Sequence, residues 1–214
     1  MTKIPEPRIL GVKANNEVWS HILFALPPYE QLVVYSGRKY RIQIPNMIWA
    51  VRAYKSNTMR ETNVAVESCY FMKEAPTTKG KNLLYKATFP NVYRNGHVCC
   101  QSWDIDGSST TADICQRAVS GWWETRFNSD VTQNLLGYSI PGLFRNWEAS
   151  GENEWLESTE ITSLSSLKRH LKMTNQRPSK FTNKRHNIPF AEVMNKEQAK
   201  KAAAKKVAKK AATT

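Results

Sequence analysis

The sequence predicts an α+β fold: an antiparallel meander sheet flanked by helices, then a helical extension and a basic tail. Three observations carry the prediction. The first ninety residues fall into short alternating or β-branched runs divided by Pro, Asn and Gly. Apolar residues beyond position 110 recur at helical spacing, and the end of the chain is a low-complexity Lys/Ala stretch. At 214 residues the chain suits one domain of ordinary size with an extension.

Residues 1–16, with Pro5, Pro7 and Asn15-Asn16, read as an irregular lead-in. Residues 18–26 form a β-like run stopped by Pro27-Pro28. Runs at 31–35 and 39–44 flank Ser36-Gly37, which makes a hairpin the natural reading. In its second arm Tyr40, Ile42 and Ile44 alternate with Lys39, Arg41 and Gln43, so one face is buried. Residues 47–54 fit helix or strand, whereas 64–72 and 83–87 read as strands. After a turn at Asp106-Gly107-Ser108-Ser109, Thr110 offers an N-cap and Asp113 an early acid. Ile114, Cys115, Ala118, Val119 and Trp122 then carry a helical stripe to about Phe127. Ile140-Pro141-Gly142 breaks the chain before one or two helical turns at 143–147. Ser158-Thr159-Glu160 opens a further helix through Leu164, Leu167 and Leu171.

The domain at 1–155 is thus followed by a helical extension and basic linker at 156–190 and a Lys/Ala-rich tail at 191–214. Charge follows the same division. The net charge is +13, from 31 Lys and Arg against 18 Asp and Glu. Fourteen of those bases and two of those acids lie from Lys168 onward, so the first 167 residues carry +1 and the last 47 carry +12. In the tail, Lys196, Lys200, Lys201, Lys205, Lys206, Lys209 and Lys210 spread around the whole helical circumference. Such a tail is expected to be disordered or a fraying helix. Its one functional reading is non-specific phosphate contact with nucleic acid. It has no apolar face for a bilayer, no stretch of the chain reaches the length of a membrane span, and the N-terminus lacks a signal-like apolar run. A soluble, cytoplasmic protein is expected.

Four cysteines, Cys69, Cys99, Cys100 and Cys115, in a chain without an export signal argue for reduced thiols. Adjacent Cys99 and Cys100 suit no structural disulfide. A zinc site of His97, Cys99, Cys100 and Cys115 lacks the paired Cys-x-x-Cys knuckles that mark such sites, and it ranks below the thiol reading. No metal and no cofactor are predicted. Cys115, on the helical stripe, reads as a small buried hydrophobe. His170 and His186 sit among bases without partner acids and receive no catalytic role. Trp122, Trp123, Trp147 and Trp155 read as packing residues.

The most informative segment is Phe89-Pro90-Asn91-Val92-Tyr93-Arg94-Asn95-Gly96-His97-Val98-Cys99. Pro90 and Asn91 start a tight turn, Asn95-Gly96 readily takes up positive φ, and Val98 begins a short strand-like run that presents Cys99. A loop fixed at both ends suits a nucleophile; it would equally suit a hairpin with a buried cysteine. In register this stretch resembles the active-site segment of the ubiquitin-conjugating (E2) superfamily, where a His-Pro-Asn triplet precedes a Gly-x-Ile/Val-Cys run. Phe89 stands in the His slot and Cys99 at the thioester cysteine. Within that superfamily the chain looks most like the prokaryotic E2 family D, the group that includes PRTRC system protein B. The likeness spans 44–147 and includes the following helix with Trp122, Trp123 and Phe127.

The resemblance implies a UBC-like (E2) fold and a transferase that carries a ubiquitin-like modifier as a thioester on Cys99. The setting would be a bacterial, plasmid or phage conjugation-like system. Partners would be a ThiF/E1-like adenylating protein and a ubiquitin-like protein. Asn91 would donate to the developing oxyanion or fix the loop that does. Asp104 or Asp106, chosen for nearness in sequence, would desolvate the acceptor amine or take its proton. An aromatic ring at Phe89 fills the volume of the usual His. Cys100 replaces the usual Leu, and alternation turns one of the two thiols outward and the other toward the core. The competing reading is a catalytically inactive E2-like scaffold that binds nucleic acid or a partner through its cationic tail.

Overall fold

The structure, a computed structural model, describes residues 3–14, 19–55, 61–77, 80–93, 95–107, 109–127, 139–150 and 160–173. Nine strands and three helices occur among them, an α+β architecture. The strands are β1 (Arg8–Ala14), β2 (Trp19–Leu26), β3 (Tyr29–Tyr35), β4 (Arg38–Ile44), β5 (Asn46–Lys55), β6 (Glu61–Met72), β7 (Leu83–Lys86), β8 (Trp103–Asp106) and β9 (Glu160–Ser163). The helices are α1 (Thr111–Glu124), α2 (Ile140–Ser150) and α3 (Leu164–His170). A seven-stranded sheet runs β1-β2-β5-β6-β7-β9, with β8 also paired to β6, and β3 and β4 form a separate hairpin.

Local chemistry explains most elements. Ser36 and Gly37 both take positive φ, 48° and 78°, which matches the hairpin twist. Tyr40, Ile42 and Ile44 of β4 are buried as their alternation requires. Helix α1 starts with a capping box: the Thr110 hydroxyl accepts from the Asp113 N–H, and the Asp113 carboxylate accepts from the Thr110 N–H at 2.8 Å. Residues 47–54, open between helix and strand, belong to β5. Its two faces enter different cores, Met47, Trp49, Val51 and Ala53 on one side and Ile48 and Ala50 on the other.

Four expectations are corrected. The lead-in contains β1, which pairs with β2 through a register shift between Ile9 and Gly11. Ile140-Pro141-Gly142 begins a helix: Ser139 accepts from the N–H of Gly142 through its hydroxyl and from that of Leu143 through its carbonyl. Proline is tolerated in a first turn because its missing N–H would have had no intrahelical partner. Of the helix expected from Ser158 through Leu171, residues 160–163 are a strand, β9, and Ser163 then caps α3 through its side chain; Ser158 and Thr159 lie outside the described residues. Finally, a domain boundary at 155 cuts through the fold. β9 pairs with β7, and Leu164, Leu167, Leu171 and Met173 cover a sheet face made by Leu23, Ala25, Ile48, Ala50, Tyr70, Met72 and Leu84. Residues 174–214, with the linker and the tail lysines, lie outside the described residues, as does Trp155.

The opposite face holds the main core. Phe89 is fully buried at its centre, with ring centroids 5.1 Å from Phe71, 5.0 Å from Trp122 and 5.4 Å from Trp147. Phenylalanine fills this site without needing a hydrogen-bond partner, whereas a buried imidazole would need both a donor and an acceptor. Helix α1 lies against this face, and Gly121 permits the approach: a Cβ there would stand 2.6 Å from the Trp103 ring.

Candidate functional site

One edge of β6 is paired in three pieces. β8 covers its start, from Glu61 to Val64, and β7 meets Tyr70 and Phe71. Between them the loop bearing Cys99 fills the gap. The Cys69 N–H donates to the Gly96 carbonyl and the Val98 N–H to the Glu67 carbonyl, both at 3.0 Å. Val98 begins no strand: 97 and 98 make isolated bridges to Ser68 and Val92. Two positive-φ residues shape the loop, Asn91 at φ 60° and Gly96 at φ 85°. At Gly96 a Cβ would collide with the Tyr70 ring, whose hydroxyl donates to the Asn95 carbonyl.

Asn91 holds the loop twice. Its carbonyl accepts from the Cys99 N–H at 2.7 Å, and its side-chain amide donates to the Arg126 carbonyl at 3.2 Å. The side chain is 3% exposed. These two bonds fasten the loop.

The four thiols differ sharply. Cys99 is exposed, whereas Cys69 and Cys115 are buried and burial pushes both well above the usual thiol range. Cys100 leans against the main core with its Sγ 3.9 Å from the Val66 carbonyl. Burial, reinforced by the neighbouring Cys99, pushes its thiol up to about 11 despite that hydrogen bond. His97 is exposed like Cys99, and Val98 packs inward like Cys100, so His97 and Cys99 share the outer side of the loop. Among the described residues no group of three or more His, Cys, Asp or Glu is arranged to hold a metal, and Cys115 stands apart in the core.

The two aspartates are not brought to the thiol. Asp104 lies opposite Asn63, whose amide donates to it at 3.1 Å, and Asp106 lies opposite Glu61. These partners are three and five positions along β6 from Val66, or about 10 and about 17 Å at strand rise. Nearness in sequence misleads here because the chain runs straight away from the loop along β8.

Sequence reasoning missed a charged cluster on the strand to which the Cys99 loop bonds. Ala50 pairs with Ser68 and Val51 with Val66, so Glu67 is the extra residue of a β-bulge. Its carboxylate reaches His21 Nε2 at 3.3 Å on β2 and Arg52 Nε at 3.6 Å on β5. Burial works against ionisation of Glu67. The hydrogen bond and charge of His21, with Arg52 and His97, outweigh it and hold the group below the usual carboxylate range. The bulge therefore holds an ionised carboxylate against one imidazole and one guanidinium, with the charge of His97 acting on it as well. The signal in the chain was a bare Glu in an apolar run, which carries no information about bulges.

These features define an α+β protein whose loop presents one accessible thiol beside a polar cluster. No family model matches the chain, and no curated protein or solved structure matches it either.

Proposed function

We propose that the protein is an E2-like carrier, in which Cys99 accepts the C-terminal acyl group of a ubiquitin-like protein from a ThiF/E1-like adenylating partner and passes it to an amine. The observation that carries this reading is the exposure of Cys99 on a loop held by backbone hydrogen bonds on both sides, while the other three thiols are buried or half-buried. The in-register Pro-Asn, Gly and Cys positions support it. In the exchange step the Cys99 thiolate attacks the activated carbonyl, and the leaving group departs with the electron pair. In the transfer step the amine attacks the thioester and loses its proton while the Cys99 thiolate leaves. His97, exposed on the same side of the loop as Cys99, is better placed to accept that proton than Asp104 or Asp106.

The test is a reductant-sensitive adduct formed with the E1-like protein, the modifier and ATP. Cys99→Ser should abolish it, and Cys100→Ser should leave it. An adduct that survives Cys99→Ser, or none at all with native protein, rejects the reading.

The segregation of +12 into residues 168–214 favours a second reading, a scaffold that binds nucleic acid through its tail. Duplex DNA affinity should then fall steeply with salt and disappear when 191–214 are removed. A flat salt response excludes it.

A further inference from the structure

A cavity of about 560 Å³ lies between β3 and the C-terminal end of α1. Its size is that of an ordinary small-molecule site. Ile4, Leu32 and Val34 give it aliphatic walls, and Tyr35, Trp123 and Phe127 give it aromatic ones. Walls of this kind favour a flat ring over a flexible aliphatic chain.

Most polar side chains around the cavity are already committed. The Ser120 hydroxyl donates to the carbonyls of Gln116 and Arg117, and the Thr125 hydroxyl to that of Gly121. The Trp123 indole N–H donates to the Tyr29 hydroxyl at 3.0 Å, so this residue offers a ligand only its ring. The Glu124 carboxylate is paired with Arg117 at 3.0 Å.

Two groups remain. Gln31 is only 5% exposed, and its Nε2 donates to the Leu32 carbonyl at 2.9 Å. Only the amide nitrogen can make that bond, so the other arm is the oxygen, and Oε1 has no hydrogen-bond partner. A buried acceptor left unsatisfied is costly, and a ligand N–H would relieve it. Arg126 borders the cavity with an exposed guanidinium that makes no ion pair among the described residues. It can take a carboxylate or a phosphate.

We propose that this cavity binds a small planar aromatic anion that carries an N–H donor. The ring lies against Trp123 and Phe127, the N–H meets Gln31 Oε1, and the anionic group meets Arg126. None of these contacts draws on the peptide groups of β3. An inorganic anion would engage Arg126 but leave Gln31 and the aromatic walls bare, and a neutral hydrocarbon would satisfy neither polar group.

The site is independent of the thiol, and the experiment keeps the two apart. The full chain is titrated by calorimetry with two matched pairs of probes. One pair is indoleacetate and its ring-N-methyl derivative; the other is adenosine monophosphate and purine riboside monophosphate, which lacks the exocyclic amine. In at least one pair the N–H-bearing member should bind, and its partner should bind about tenfold more weakly. The pair that responds tells a carboxylate ligand from a phosphate one. Gln31→Leu, which keeps the volume and removes the acceptor, should abolish the difference within that pair. Should that variant not fold, the paired probes still read the same bond on the native protein from the ligand side. Arg126→Gln, which keeps the main-chain carbonyl held by Asn91, should weaken both members alike. Cys99→Ser should bind as the native protein does. The proposal is overturned if no probe binds at millimolar concentration, if the members of each pair bind the native protein equally, or if their difference survives Gln31→Leu.

Discussion

At the scale of single residues, burial decides which thiol reacts. With Cys100 pushed up to about 11, roughly one molecule in a thousand has that thiolate at pH 8. Iodoacetamide on the native protein at pH 8 should therefore label Cys99 first. Cys100 should follow far more slowly, and Cys69 and Cys115 only after unfolding, as read by peptide mass mapping. Gly96→Ala places a side chain at φ 85° against the Tyr70 ring and should cost about 2–3 kcal/mol in denaturant unfolding. Glu67 has its folded pKa below the unfolded value, so its contribution is present above the ordinary carboxylate range and is lost as pH falls through the folded value. Glu67→Gln should destabilise by about 1 kcal/mol at pH 7, and the difference should shrink steadily below pH 4.5.

At the scale of elements, the chain announces its structure where local bonds are made by neighbours in sequence. Thr110 and Asp113 satisfy each other across one turn, and Ser36-Gly37 need only their own backbone freedom, so α1 and the hairpin were legible. Thr110→Ala should accordingly cost about 1 kcal/mol by removing the cap. Elements set by distant partners were not legible. Pro5 and Pro7 masked β1, which exists because β2 offers it a ladder. Ser158-Thr159-Glu160 imitates a helix start, yet the sheet edge at β7 claims Glu160 and Thr162, and the working cap is Ser163. The candidate site divides in the same way. Its loop was readable from Pro90, Asn91, Gly96 and Cys99, whereas the bulge that gathers His21, Arg52 and Glu67 joins three strands and leaves no trace in spacing.

At the scale of the whole molecule, the sheet is a wall with a core on each side, and the second core depends on residues 160–173. A chain ending at 155 would uncover Leu23, Ile48, Met72 and Leu84, four apolar side chains worth about 1.5–3 kcal/mol each when fully buried. That loss exceeds the total stability of many domains. The truncated chain should lack a cooperative thermal transition by circular dichroism, and a chain ending at Met173 should keep one. Asn91 has a different reach. Because it grips Cys99 with its main chain and Arg126 with its side chain, it ties the thiol's loop to the segment that follows α1. Arg126 also borders the cavity beside β3. A displacement of the chain at Arg126 must either drag the thiol's support with it or break one of two short links.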